Sequence, residues 1–285
     1  RIAFASTERN GQDFDIYTAD LSSGETTRLY EGTFGFFAHD ISPDGTRLIV
    51  SETVGEDSDN LYLLDIESRE ITTLAKPDPR ANHTNGGFAW LPDSSGFYFA
   101  SNEDREFSAI TRYDVASGEM SVVKEADYDL GGIKLCGEAG SYMVYTENVD
   151  GFDTLHIDQN GKSASLDLSF LPEGQYQASC SMESSTLAIR ASGWRTPGDV
   201  YVMDLETGEH SRVFASNYAG LDPNRLIRPE SVRMMARDGV ELQGLLYLPD
   251  DRVLGADIVL RAVAHVQPEY VRPRFVQRPD RFICI

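Results

Sequence analysis

The sequence predicts an all-β fold: a β-propeller of four complete blades and one partial blade, followed by one further β-hairpin. Three observations predict it. A strand ending in Asp, then a tight turn and a Thr- or Val-rich strand, recurs five times along the chain. The recurrence has a period of about 45 residues, the size of one four-stranded blade. A second turn signal returns once in each of four successive units.

The Asp-terminated strands are Ile16–Asp20, Leu61–Asp65, Ile110–Asp114, Leu155–Asp158 and Val200–Asp204, and their aspartates step by 45, 49, 44 and 46 residues. Gly24, Gly118, Gly161 and Gly208 follow four of them, where a tight hairpin needs a residue tolerant of positive φ. Arg69 holds the fifth place. The other turn is Ser42-Pro43-Asp44-Gly45, which returns as Pro92-Asp93-Ser94-Ser95-Gly96 and more loosely as Gly137–Gly140 and Met182–Ser185. Each unit therefore reads as four short strands, in the first complete unit Phe37–Ile41, Arg47–Glu52, Leu61–Ile66 and Glu70–Ala75. Complete blades are expected over 36–76, 86–124, 130–168 and 176–214, and residues 1–31 supply the last three strands of another. Open terminal blades expose their faces to water, so the propeller is expected to be cut on its N-terminal side.

The domain boundaries follow from where this pattern stops. Residues 1–216 are the expected partial propeller, and 217–228 are a linker containing the turn cluster Leu221-Asp222-Pro223-Asn224. Residues 229–251 hold a hairpin about Asp238-Gly239. From 252 to 285 the composition changes, to a net charge of +3 against −24 for residues 1–251, and this stretch reads as a divergent or frame-disrupted tail.

Composition bounds the function. A chain of 285 residues with 41% hydrophobic and 25% charged residues can bury a real core. Its formal charge of −21 repels phosphate backbones and anionic headgroups, so neither nucleic acid nor membrane is an expected partner. The most apolar stretch, Val253–Val266, is broken by Asp257 and Arg261, short of a spanning helix. The opening Arg1-Ile2-Ala3-Phe4-Ala5 shows neither an initiator Met nor a charged-then-apolar stretch, so any targeting peptide is expected to lie outside these residues and the compartment is not readable from them. Cys136, Cys180 and Cys284 fit neither a disulfide framework nor a zinc site. Cys136 and Cys180 lie 44 residues apart, one period, and are expected to be buried thiols at equivalent inner-strand positions.

The chemistry-bearing residues form no recognisable centre. His39, His83, His156, His210 and His265 are scattered without paired-ligand spacing, and His156 and His210 are expected in packing or solvent-exposed roles. The acidic loops Gly55–Asn60 and Asn148–Asp153 lack the oxygen pattern and closing Glu of an EF-hand and read as solvated turns. No G-x-S-x-G, phosphate-binding loop or G-x-G-x-x-G after a strand occurs in the 285 residues. No catalytic residue, cofactor or metal is therefore expected within the chain.

One segment is more distinctive. Trp194–Leu205, then Arg228-Pro229-Glu230-Ser231-Val232 and Ala236–Pro249, following a set of blades, resembles the prolyl oligopeptidase family of serine peptidases, the acylaminoacyl peptidase and dipeptidyl aminopeptidase branch above all. The resemblance implies a propeller that gates short peptides into an α/β-hydrolase domain beginning near residue 229. It also implies acyl transfer by a Ser-His-Asp triad, none of which can be named in this sequence. His265-Val266-Gln267-Pro268 keeps the ends of the family's His-Gly-Gly-Pro oxyanion loop without its glycines, so His265 is the oxyanion-loop candidate, with a β-branched Val disfavouring the turn. The resemblance implies a truncated copy of such a peptidase. The alternative is a non-enzymatic TolB-like propeller that binds a protein partner; residues 229–249, which such a module has no reason to carry, separate the two.

Overall fold

Short runs of Val, Ile, Leu, Tyr and Phe closed by Asp, Gly and Ser favour extended backbone. The computed structural model, which describes residues 1–76 and 83–248, consists of strands joined by turns. Helix among the described residues is limited to single 3-10 turns at Glu138–Gly140 and Pro223–Arg225.

The first sheet has three strands, β1 (Ile2–Ser6), β2 (Asp15–Ala19) and β3 (Thr26–Tyr30). The second has four, β4 (Phe36–Ile41), β5 (Arg47–Thr53), β6 (Asp59–Asp65) and β7 (Ile71–Ala75). The third comprises β8 (Asn85–Trp90), β9 (Gly96–Ser101), β10 (Ala109–Asp114) and β11 (Met120–Lys124). The fourth comprises β12 (Asp129–Cys136), β13 (Tyr142–Val149), β14 (Phe152–Gln159) and β15 (Lys162–Ser163). The fifth comprises β16 (Gln175–Cys180), β17 (Thr186–Ser192), β18 (Asp199–Asp204) and β19 (His210–Phe214). Each is an antiparallel meander in chain order, and a separate pair, β20 (Glu230–Met235) and β21 (Glu241–Leu246), follows. β1 lies against β4 as β9 lies against β12, so β1 to β3 hold the second to fourth places of their blade.

A blade between two neighbours must be apolar on both faces, which is why β6 is buried from Asn60 through Leu64 without a break. Alternate residues serve opposite seams. Tyr62 and Leu64 join Ile16, Phe36 and Leu48 between the first and second blades, while Leu61 and Leu63 join Phe88, Trp90 and Phe97 between the second and third. Ile110, Ile133 and Tyr145 fill the third seam, and Val144, Ile157, Leu187 and Ile189 the fourth.

The hairpin joining the last two strands is built alike in four blades. The N–H groups of Gly24, Arg69, Gly118 and Gly208 donate to the carbonyls of Asp20, Asp65, Asp114 and Asp204 at 2.8–2.9 Å. The same aspartates accept turn amides on Oδ1, from Ser22 and Ser23, Glu67 and Ser68, Ser117, and Glu206 and Thr207 respectively. Arg69 adopts the glycine-like φ of 63°, so the turn survives there at the cost of a strained side-chain-bearing residue. In the fourth blade Asn160-Gly161 makes a two-residue hairpin instead, and Asp158 is buried with Lys124 Nζ 2.5 Å away.

Two expectations are corrected. The fourth blade does not run in its sheet to residue 168: β15 ends at Ser163, and Leu166, Leu168, Phe170 and Leu171 leave the sheet to pack into the fourth seam, where their apolar surface is better buried. The cysteines are not free thiols, because Cys136 and Cys180 form a disulfide across that same seam. Nor are their positions equivalent. Cys136 pairs with Tyr142 and Cys180 with Leu187, so the intervening turn is one residue longer in the fifth blade. A one-residue change reverses the face, and the two sulfurs point at each other. Cys284 lies outside the described residues.

Two predictions follow from this packing. Phe97 is fully buried among the rings of Phe88, Trp90, Phe99 and Tyr113 at 5.0–6.3 Å. Phe97→Ala is expected to cost about 3–5 kcal/mol and to lower Tm by roughly 6–15 °C in a calorimetric scan. The disulfide closes 44 residues of chain. In the chain-entropy model this stabilises by about 4 kcal/mol, so Cys180→Ser is expected to lower the urea midpoint, and a thiol titration of the unfolded, unreduced wild type should count Cys284 alone.

Candidate functional site

The first strand of each complete blade stands innermost, so β4, β8, β12 and β16 line the lumen, each beside the next. Three of the four are bulged at the same height. Register jumps between Ala38 and Ile41, between Gly86 and Ala89, and between Gly131 and Lys134, whereas β16 pairs with β17 without a shift from Gln175 to Cys180. A bulge re-aims the side chains at its centre. In β4 it leaves both His39 and Asp40 exposed. In β8 and β12 the bulges fall at Gly87 and Gly132, with φ of 65° and 61°, and a Cβ on Gly87 would lie 3.4 Å from the Gly132 amide nitrogen. Glycine is what lets these two inner strands approach.

The lumen therefore offers Phe37, His39, Asp40 and Lys134. The His39 ring packs 4.6 Å from Phe88 and its Nε2 lies 2.7 Å from Ser51 Oγ. Surrounding protein holds its pKa below the ordinary value. Loss of water to the surrounding strands likewise pushes the Asp40 carboxyl up although its surface faces the lumen, opposed by the charge of Lys134 on β12. These groups can hydrogen-bond and select by charge. Ser51 is buried and, among the described residues, no carboxylate hydrogen-bonds the His39 ring, so the Ser51–His39 contact lacks the third group that would orient a base; nor, among the described residues, are three His, Cys, Asp or Glu side chains grouped to hold a metal ion.

At one mouth a second set of aspartates, at the start of each third strand, fastens one blade to the entry of the next. Asp15 accepts the Gly32 N–H at 3.1 Å, Asp59 the Asn85 N–H at 2.9 Å, Asp153 the Tyr176 N–H at 2.8 Å and Asp199 the Ser216 N–H at 2.8 Å. In the third blade the polarity is reversed, and the Ser108 N–H donates to Asp129. The acidic loops 55–60 and 148–153 are thus not simply solvated, because Asp59 and Asp153 are structural acceptors and Asp150 meets Arg233. Sequence reading missed this set, although positions 15, 59, 108, 153 and 199 repeat with the blade period.

The fully buried Asp15 side chain is 2.9 Å from Arg9 Nε and 3.3 Å from Arg28 Nη1. The Arg9 hydrogen bond, ahead of the Gly32 amide, holds its carboxyl below the usual range against burial. At Asp199 burial pushes up, but the Ser216 amide and Arg212 leave the group lowered. Asp59 goes the other way, raised by burial despite Asn85. A carboxyl lowered on folding stabilises above its unfolded pKa of about 3.9, and that contribution is lost as pH falls through the folded value. The Tm advantage of wild type over Asp15→Asn is therefore expected to be constant from pH 7 to about pH 5 and to close at lower pH. A gap that stays unchanged throughout acid titration contradicts the assignment.

The β20–β21 pair sits at this same mouth. Arg228 grips Glu173 through Nε and Nη2 at 2.7 and 2.9 Å and lies 5.2 Å over the Phe152 ring, and Arg233 Nη2 is 2.6 Å from Asp150. Leu245 rests on Gly151, at 3.4 Å from where a Cβ would stand. Of the residues singled out by sequence, His156 lies in β14 against Glu147 and the Tyr145 ring, His210 is exposed and stacks on Phe170, and His83 is buried. His265 lies outside the described residues. Among the described residues no helix is long and apolar enough to cross a membrane.

No protein-family model matches the chain. It is 25% identical over 262 residues to dipeptidyl-peptidase 5 of Porphyromonas gingivalis, an overlap covering 88% of this chain and 31% of that protein. Among solved structures, prolyl oligopeptidase B from Galerina marginata, bound to a 35mer hydrolysis and macrocyclization substrate, superposes with a TM-score of 0.67 at 16% identity over 86% of this chain and 36% of that one. Puromycin hydrolase superposes with a TM-score of 0.63 at 16% identity over 82% of this chain and 38% of that one. The chain thus spans about a third of the length of the curated relative it matches. By fold the chain is thus similar to part of prolyl oligopeptidase and puromycin hydrolase structures, and by sequence to part of a dipeptidyl-peptidase.

Proposed function

We propose that the chain is the substrate-gating propeller of a serine-type oligopeptidase, an enzyme that hydrolyses short peptides through an acyl-enzyme. In this reading residues 217–228 are the linker, 229–251 open the α/β-hydrolase domain, and 252–285 are a divergent tail in which His265 stands where the oxyanion loop belongs. The observation that carries it is the β20–β21 pair, a two-stranded sheet that belongs to no blade and is fastened over one mouth of the lumen by Arg228 and Arg233. A binding propeller acting alone has no use for such an element. The similarity to a dipeptidyl-peptidase, and the likeness of fold to a peptidase solved with a peptide substrate, support the same reading.

The division of labour is then physical. In this reading the serine attack, proton relay by histidine and orientation by aspartate belong to the hydrolase domain. The propeller contributes selection: its rigid blades admit an unfolded chain to the lumen and turn away a folded one.

Two measurements on the 285-residue chain test this. A fluorophosphonate probe is expected to leave it unlabelled, and a stoichiometric adduct would place the nucleophile inside it. In fluorescence anisotropy a short unstructured peptide is expected to bind. A tight complex with a folded protein, without peptide binding, would favour the binding module.

A further inference from the structure

We propose that β16 is the peptide-docking edge of the lumen, and that it captures an extended peptide by strand addition, backbone to backbone. This rests on the reading of the lumen as a peptide passage and names where in it the peptide lies.

Strand addition needs a straight edge with free N–H and C=O groups, and bulges are how proteins spoil such edges. Of the four described inner strands, β4, β8 and β12 are each spoiled by a bulge, and β16 alone is regular over its whole length. Its polarity is set by one hydrogen bond. The Tyr176 N–H donates to Asp153, away from β17. Backbone groups two residues apart in a strand point the same way, so the Ala178 N–H and C=O and the Cys180 N–H also face away from β17. Among the described residues none pairs with these groups. They form a short ladder ready for a partner strand, with the disulfide to Cys136 fixing its far end.

The surroundings fit a backbone-width occupant. The neighbouring inner strands carry Gly86-Gly87 and Gly131-Gly132, and a Cβ on Gly86 or Gly131 would meet nothing within 4 Å, so the lumen stays open alongside. The β16 side chains themselves point to the two faces of the sheet, Tyr176, Ala178 and Cys180 into the fourth seam and Gln175, Gln177 and Ser179 to the other face, which leaves the edge to the backbone. Such an edge reads the main chain of a peptide and is tolerant of its side chains, the property required of a gate serving many sequences.

The test uses the full 285-residue chain and two end-blocked peptides of one Thr- and Val-rich sequence, one unmodified and one N-methylated at alternate residues. The unmodified peptide is expected to slow amide exchange at Ala178 and Cys180 by at least about tenfold, and the N-methylated one to bind at least about tenfold more weakly. Ala178→Pro, which removes the central N–H, should abolish binding; if it does not fold, the peptide pair still decides. Equal affinity of the two peptides, or protection on β4, β8 or β12 instead, would overturn the assignment to β16 while leaving the gating reading in place. Protection of Ala178 and Cys180 without added peptide would show the edge already occupied by the chain itself and would also overturn it. Failure of any short peptide to bind would remove both.

Discussion

Everything in this molecule depends on each inner blade having to bury both faces of a single sheet. That demand explains the unbroken apolar run of β6, the aromatic cluster around Phe97, and the alternation by which Leu61 and Leu63 serve one seam while Tyr62 and Leu64 serve the other. It also dictates where polar groups can go. Many carboxylates stand at the ends of the strands, at the two mouths, and there several are put to use as acceptors for amides that the sheets cannot satisfy. Asp15 shows the limit of the device, being buried deeply enough to need two arginines.

The same repeated strand yields different surfaces toward the axis. A bulge turns His39 and Asp40 outward in one blade, and glycines absorb it in the next two. The regular β16 ends the series next to the blade turns on which the β20–β21 pair is anchored. The proposed docking edge and the anchorage of the β20–β21 pair are therefore neighbours, joined through Asp153, which accepts from Tyr176 of β16 and lies three residues after the Asp150 bound by Arg233.

Much of the fold was legible in the sequence because its punctuation is local. An Asp at a strand end, followed by a glycine, specifies a hairpin from within four residues, and Arg69 shows that the backbone keeps the shape when the residue changes. What escaped notice depended on partners far along the chain. The clamp aspartates 15, 59, 153 and 199 bond to amides 17 to 26 residues away in a different sheet or connection. The disulfide was hidden because a one-period spacing suggests the same face, and only the register with Tyr142 and Leu187 reveals opposite ones. The lumen groups were invisible for a similar reason, since a bulge changes which neighbours face outward without changing the residue pattern. The β20–β21 hairpin was legible from its Asp238-Gly239 turn and not from the blade period.

The early end of β15 at Ser163 has a consequence for how the stack comes apart. In a linear array each repeat is held by its own stability plus its contacts with neighbours. By sending Leu166 to Leu171 across the last seam, the fourth blade lends part of its own chain to the fifth, and the Cys136–Cys180 link ties the same pair from within. The final two blades are thus a single cooperative block, so force or heat opens the earlier seams one by one but must break this pair all at once.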